Sequence, residues 1–150
     1  LHHGNGTQGI FYARDGVLAI PVLADPGRSF PSFEGHADER GEGRGLGYNL
    51  NLPLPRKTGD EGFMAALAPA MQRIRAFAPD ALVIALGLDA HESDPFGGLS
   101  VTTRGFSGIG SLIGAAKLPT VLVQEGGYKN EALGANLISF LAGFRKALGT

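Results

Sequence analysis

Residues 81–88 read ALVIALGL, and this short run without a polar side chain decides the fold class. A uniformly apolar run of this length is typical of a central parallel strand that is buried on both faces. The run TVLVQ at 120–124 predicts a further buried strand. Helical patterns alternate with such runs along the chain, which predicts an α/β fold around a mostly parallel sheet.

Two further strands and a long loop are predicted in the first third of the chain. Residues 17–24, VLAIPVLA, predict a buried strand, although Pro21 cannot donate to a strand ladder. Residues 48–54, YNLNLPL, alternate apolar and polar side chains as a strand does. Residues 25–47 are rich in glycine, proline and charge, and they predict a long loop, a length that is uncommon unless the loop is functional.

Three helices are predicted in the remainder. Asp60 is a candidate N-cap for a helix that runs to Phe77, with Pro69 as a kink or a break. Thr103 is a candidate cap for a helix through Lys117. Residues 131–148 form an amphipathic pattern with apolar side chains on one side. These side chains are Leu133, Leu137, Phe140, Leu141 and Phe144.

Composition restricts the class of protein. The 150 residues are enough for one domain with a hydrophobic core, and the net charge of −1 gives no basic excess for nucleic acid. The absence of cysteine excludes disulfides, thiolate zinc sites and a cysteine nucleophile. No apolar run reaches the roughly 18 residues that a membrane span needs. We therefore expect a cytoplasmic protein without a nucleic-acid or membrane partner.

Three polar features lie where an α/β fold places its ligands, beyond the carboxyl ends of strands. They are the pair His2-His3, Asp89 directly after Leu88, and the segment GGY that ends at Tyr128. Each alone has a structural interpretation: an exposed or core histidine pair, a helix-capping aspartate and a packed loop aromatic. Together they favour a site, because imidazole and carboxylate are ligands of catalytic zinc and a phenol can donate to an oxyanion.

Three motifs carry a family resemblance. HHGNGTQ at 2–8, GLDAHESDPFGGLSVT at 87–102 and EGGY at 125–128 resemble the zinc-dependent deacetylases, which include histone deacetylases and acetylpolyamine amidohydrolases. Residues 30–55, FPSFEGHADERGEGRGLGYNLNLPLP, are most similar to the amidohydrolase and class II branch. The resemblance covers the whole chain and implies an arginase-like three-layer α/β/α fold. It implies that residues 1–150 are the C-terminal portion of a single catalytic domain whose N-terminal part is absent.

The resemblance also implies an activity and a zinc site. The activity is hydrolysis of an acetylated lysine or polyamine. His2 and Asp89 match zinc ligands, and His3 matches a residue that supports them. A further aspartate ligand would precede His2 by two positions, and the histidine pair that acts as general base and acid would also lie upstream. We therefore expect this fragment to be inactive alone.

Further roles follow from the same resemblance. Tyr128 matches the hydroxyl that holds the tetrahedral oxyanion. Phe30 matches an aromatic wall of the substrate channel, or else packs on the surface, and Gly127 would let the acyl end pass close to the backbone. His91 and Asp94 are interpreted as structural.

The resemblance also covers two sites for a monovalent cation such as K⁺. One site usually contains a serine at the position of Pro21, and proline has no hydroxyl. The other site uses mostly backbone carbonyls, and these match Phe11, Arg14, Val17 and Tyr48.

Several alternatives stay open at this point. The chain could be a truncated or degenerate homologue that acts as a binding module, or an arginase-type manganese enzyme, although only one aspartate stands in the segment DAH. The acidic loop residues Glu34, Asp38, Glu39 and Glu42 could attract a polyamine, but Arg40 and Arg44 offset them. An unpaired sheet edge would favour association, including a homo-oligomer.

Overall fold

The structure is a computed structural model that describes residues 1–149. It divides into two compact units, which are described separately. The amino-terminal unit is His2–Arg56, and the carboxyl-terminal unit comprises Leu1 and residues 57–149. The expectation that the chain forms part of one catalytic domain stays a prediction.

The amino-terminal unit contains one helix and two short strands. Helix α1 spans Asn5–Phe11, and strand β1 (Val22–Ala24) pairs in parallel with strand β2 (Leu52–Leu54). Both strands are shorter than predicted, because Pro21 supplies no N–H to the ladder before β1. Ala19 and Asn49 form only an isolated bridge. The long loop between the strands is confirmed, with two single 3₁₀ turns at Pro26–Arg28 and Gly43–Gly45.

The carboxyl-terminal unit alternates helices and strands as expected. Its elements in chain order are α2 (Asp60–Phe77), β3 (Leu82–Leu86), α3 (Thr103–Gly114), β4 (Thr120–Gln124) and α4 (Leu133–Leu148). Strands β3 and β4 pair in parallel, with Leu82 opposite Thr120 and Leu86 opposite Gln124. The predicted bounds of β4 are confirmed, whereas β3 ends at Leu86 because Leu88–Ala90 turns into a 3₁₀ helix. The prediction that these strands are buried on both faces is wrong, since Val83 and Val121 are exposed.

The predicted helix caps are each wrong by one residue. The N-cap of α2 is Gly59, and the carboxylate of Asp60 instead accepts hydrogen bonds from the backbone N–H and the hydroxyl of Thr102, at 2.8 and 2.7 Å. Thr102 in turn is the N-cap of α3, and its Oγ1 accepts from the N–H of Gly105 at 3.0 Å. Helix α2 continues through Pro69, so the proline does not divide it.

Helices α3 and α4 pack closely together. A Cβ atom on Gly110 would collide with the carbonyl oxygen of Phe140, and one on Gly143 would collide with that of Ser107. Gly110 of α3 and Gly143 of α4 therefore allow the two helices to approach each other closely. Phe140 and Phe144 are buried at this contact, which confirms the apolar side predicted for α4. No helix among the described residues is long and apolar enough to cross a bilayer.

Candidate active site

Asp89 lies at the carboxyl end of β3, in the 3₁₀ turn that follows the strand. Its side chain is almost fully buried, with 1% of the residue exposed. Oδ1 accepts a hydrogen bond from the amino nitrogen of Leu1 at 2.9 Å. In a longer chain this nitrogen would be a peptide N–H, which is still a donor. A carboxylate held in this way at a strand end is where an α/β fold places a ligand.

The glycine segment after β4 lies directly against Asp89. The N–H of Leu88 donates to the carbonyl oxygen of Gly126 at 2.8 Å. A Cβ atom on Gly126 would collide with Oδ2 of Asp89. Gly127 has φ +134°, a backbone conformation that side chains with a Cβ rarely adopt. The structure therefore brings two of the three motifs together, GLDAHESDPFGGLSVT at 87–102 and EGGY at 125–128.

Tyr128 follows these glycines and is 40% exposed. Its ring meets the ring of Phe96 edge-on, with 4.5 Å between the centroids and 72° between the planes. Edge-to-face contacts of this kind are favourable and have a preferred geometry. Phe96, which lies in the segment GLDAHESDPFGGLSVT at 87–102, therefore restricts the orientation of the phenol. Phe96 was not identified from the sequence.

His91 and Asp94 have structural contacts, as predicted. The buried His91 ring bonds to Ser93 Oγ at 2.8 Å, approaches Thr103 Oγ1 at 3.4 Å and stacks on Phe106. Asp94 Oδ1 accepts from the N–H of Phe96 at 2.9 Å, which closes a turn. Both side chains shape the segment between Asp89 and Phe96.

The histidine pair belongs to the amino-terminal unit. The His2 ring lies edge-on to Phe30, with 6.4 Å between centroids. His3 is buried, and its Nε2 lies 3.1 Å from Oε1 of Gln8. The roles predicted for these residues, metal ligand for His2 and support for His3, stay predictions. Phe30 is largely exposed, and its predicted role as a wall of the substrate channel also stays a prediction.

A buried network around Gln8 was missed by sequence reasoning. Gln8 Oε1 accepts hydrogen bonds from Asn49 Nδ2 at 2.8 Å and from Asn51 Nδ2 at 3.0 Å. Gln8 Nε2 donates to Glu39 Oε2 at 2.7 Å. The available signal was the alternation of Asn49 and Asn51, which places two amides on one face of a strand. The network links α1, the long loop and the residues that lead into β2.

Glu39 has structural hydrogen bonds, whereas the sequence left open a charge that attracts a polyamine or a solvated loop charge. Burial acts to raise its pKa, but hydrogen bonds from Gln8 and from the backbone N–H of Gly35 outweigh burial and hold the pKa below its ordinary value. Arg44 also differs from expectation, because it pairs with Asp15, outside the acidic loop segment, at 2.8 Å. This pairing lowers the pKa of Asp15 and raises that of Arg44.

The predicted cation ligands lie near the end of α1 and beside the β1–β2 pair. The carbonyl oxygen of Phe11 accepts from the N–H of Arg14, and that of Tyr48 accepts from the N–H of Ala19, both at 2.9 Å. The carbonyl oxygens of Phe11 and Tyr48 thus already accept a hydrogen bond from a backbone N–H. The other two predicted ligands are the carbonyl oxygens of Arg14 and Val17. A K⁺ site at these four residues stays a prediction.

The chain supplies suitable zinc donors but too few of them. A catalytic zinc has three protein ligands, usually histidine and carboxylate. Within residues 1–149 the structure contains no group of three or more histidine, aspartate or glutamate side chains that could hold a metal ion. His2 and Asp89 have the right chemistry and amount to two donors. The described part of the chain therefore does not complete a zinc site.

Residues 1–144 match the histone deacetylase domain. The chain belongs to the histone deacetylase family. It is 51% identical over 144 residues to an acetylpolyamine amidohydrolase of Burkholderia pseudomallei (strain 1710b), a match that covers 96% of this chain and 42% of that protein. It is 46% identical to acetylpolyamine amidohydrolase 1 of Pseudomonas aeruginosa, over 97% of this chain and 42% of that protein. The chain thus spans less than half the length of these curated relatives.

A solved structure confirms the fold of this family member. The crystal structure of acetylpolyamine aminohydrolase from B. pseudomallei matches with a TM-score of 0.95 and 50% identity. The match covers 97% of this chain and 43% of that one. The resemblance seen in the motifs is thereby confirmed, and so is the α/β fold class with parallel strands.

Proposed function

We propose that this chain is part of the catalytic domain of a zinc-dependent amide hydrolase that removes acetyl groups from acetylated amines. The observation that carries this proposal is the contact between two motifs. The buried carboxylate of Asp89 and the glycine segment that carries Tyr128 lie against each other at the ends of β3 and β4. Membership of the histone deacetylase family supports the same reaction class.

His2 and Asp89 are the residues of this chain that would hold the metal. Zinc, when bound, polarises an acyl carbonyl and acidifies a water molecule. The chain would contribute one imidazole and one carboxylate, and a further ligand would come from polypeptide outside these 150 residues. Asp89 suits this role because its carboxylate is almost fully buried in the turn after β3, where an α/β fold places a ligand.

Tyr128 would stabilise the charge that develops on the substrate. When a nucleophile adds to the acetyl carbonyl, the carbonyl oxygen becomes an oxyanion, and a phenol hydroxyl can donate to it. The ring is partly exposed, so its hydroxyl can reach a substrate, and the contact with Phe96 restricts its direction. Gly127 would let the acyl group pass near the backbone. Removing one such donor typically costs on the order of 100-fold or more in rate.

An acetylated polyamine is the favoured substrate over an acetylated lysine in a protein. The support is that the relatives from B. pseudomallei and P. aeruginosa both have the name acetylpolyamine amidohydrolase. The loop charges do not add to this support, because Glu39 is occupied by hydrogen bonds within its own unit.

The proposal is tested in a hybrid enzyme. The hybrid is the B. pseudomallei amidohydrolase in which this chain replaces the matching residues. We expect it to deacetylate an acetylated polyamine faster than an acetyl-lysine reporter, and we expect Tyr128→Phe to lower kcat by about 100-fold. Tyr12→Phe is the matched control, which removes a hydroxyl from the amino-terminal unit and should leave kcat unchanged. Normal turnover by Tyr128→Phe would contradict the oxyanion role.

A non-catalytic binding module is the second candidate. It is favoured by Pro21, which has no hydroxyl at a position where the family resemblance implies a serine. The hybrid enzyme separates the two candidates, since a degenerate sequence would leave the hybrid folded and inactive. We expect the 150-residue chain alone to show no hydrolysis under either candidate.

A further inference from the structure

The loop that carries Tyr128 is bonded at both ends to the segment that follows β3. At its start, the carbonyl oxygen of Gly126 accepts a hydrogen bond from the N–H of Leu88 at 2.8 Å. At its end, Oδ1 of Asn130 accepts from the hydroxyl of Ser93 at 3.3 Å. The two bonds therefore enclose the short span of chain on which Tyr128 stands.

This span does not fix the phenol by its own sequence. Gly126 and Gly127 precede Tyr128, and glycine restricts the backbone less than any other residue. The phenol is also partly exposed, so packing encloses only part of it. Its position therefore depends on contacts with other segments, and the bond between Ser93 and Asn130 is one of them.

The Ser93 side of this bond is anchored in the packed interior. Nδ1 of the buried His91 lies 2.8 Å from Oγ of Ser93. The His91 ring stacks on Phe106 of α3, which is itself buried. A side chain that is held by packed neighbours supports its own partner in a defined geometry. Ser93 thus connects the end of the Tyr128 loop to the rigid part of the unit.

The Asn130 side of the bond is equally well defined. Oδ1 of Asn130 also accepts from the N–H of Ala132 at 2.8 Å. The carbonyl oxygen of Asn130 accepts from the N–H of Leu133, the first residue of α4, at 3.3 Å. Asn130 therefore joins the end of the loop both to the start of α4 and to Ser93.

We infer that Ser93 is a positioning residue, which acts through Asn130 to hold the hydroxyl of Tyr128 in place for the acetyl carbonyl. The inference rests on the oxyanion role proposed for Tyr128. Loss of the Ser93 hydroxyl would free the end of the loop, and a displacement of about 1 Å at a reacting group can lower the rate by up to about 100-fold.

The kinetic test uses the hybrid enzyme and an acetylated polyamine. Ser93→Ala should lower kcat about tenfold with little change in KM, because the phenol acts on the charge that develops during the reaction. Ser93→Thr keeps a hydroxyl and should restore most of kcat. In the Tyr128→Phe background, Ser93→Ala should have no further effect, since it acts through the phenol.

A spectroscopic readout tests the position of Tyr128 without activity. The chain has three tyrosines and no tryptophan, so fluorotyrosine incorporated into the 150-residue chain gives three fluorine NMR signals. The signal of Tyr128 is the one that Tyr128→Phe removes. It should shift after Ser93→Ala and return after Ser93→Thr, while the signals of Tyr12 and Tyr48 stay in place.

Ser111→Ala is the matched control. Oγ of Ser111 donates to the carbonyl oxygen of Gly143 at 3.2 Å, so this variant removes a hydroxyl bond from the same unit but at the contact between α3 and α4. It should change neither kcat nor the Tyr128 signal.

The inference is overturned if Ser93→Ala leaves the Tyr128 signal in place, or if it lowers kcat as much in the Tyr128→Phe background as in the unaltered hybrid. Normal turnover by Tyr128→Phe would instead count against the proposed function. The Tyr128 signal would in that case still show whether Ser93 holds the loop.

Discussion

The two units hold their polar residues in different ways. In the carboxyl-terminal unit, Asp89 is enclosed by backbone that approaches it closely, and glycine at position 126 is what makes the approach possible. In the amino-terminal unit, His3 is held by side-chain hydrogen bonds that converge on Gln8. The first arrangement is sensitive to added volume and the second to lost hydrogen bonds. The predictions below use this difference.

Gly126→Ala should have the largest effect on stability. The added Cβ would collide with the carboxylate of Asp89, and the cost of forcing atoms into a packed site is about 1–3 kcal/mol in the free energy of unfolding. Urea denaturation of the 150-residue chain, followed by circular dichroism, measures this loss. Gly134→Ala is the control, because nothing lies within 4 Å of its Cβ position in α4, and alanine should stabilise the helix slightly. Equal effects of the two substitutions would contradict the close approach to Asp89.

Gln8→Leu should have a somewhat smaller effect. Leucine keeps much of the volume but leaves the amide groups of Asn49 and Asn51 without their acceptor at Gln8. An unsatisfied buried polar group costs about 1–3 kcal/mol, and the remaining bonds of these amides to Glu39 and His36 reduce the loss. The same denaturation experiment measures it. If Gln8→Leu were neutral while Gly126→Ala was costly, the hydrogen bonds to Gln8 would not stabilise the amino-terminal unit.

Glu39 should make the amino-terminal unit sensitive to acid. Its pKa is held below the ordinary value of 4.5 by hydrogen bonds, so its stabilising contribution is present above pH 4.5 and is lost as the pH falls through the lower, folded-state value. Glu39→Gln should reduce the change in melting temperature across this pH range. The contribution is small because the carboxylate is partly solvated. If the pH dependence of the melting temperature were the same after Glu39→Gln, Glu39 would not be the source of the acid sensitivity.

Local patterns predicted the carboxyl-terminal unit well. The bounds of β4 followed from five consecutive residues, and the buried side of α4 followed from helical spacing. The prediction that Asp60 caps helix α2 was wrong, because its carboxylate instead binds Thr102, which is 42 positions away in the sequence. Such a partner cannot be read from neighbouring residues.

The missed parts of the candidate site have the same cause. Gln8 stands in the motif HHGNGTQ, but its acceptor role depends on Asn49 and Asn51, which lie 41 and 43 positions away. The contact of Phe96 with Tyr128 likewise joins separate segments. Burial on both faces of β3 was expected from its apolar composition, which does not reveal that Val83 is exposed in this chain. The cytoplasmic location and the homo-oligomer stay predictions.

Zinc content is the measurement that tests the central claim, namely that Asp89 is a metal ligand in a site shared with Tyr128. We expect one zinc ion per hybrid enzyme by elemental analysis, and none bound tightly by the 150-residue chain alone. Asp89→Asn should remove the zinc from the hybrid, whereas Tyr128→Phe should retain it. A hybrid that keeps its full zinc content after Asp89→Asn would contradict the account.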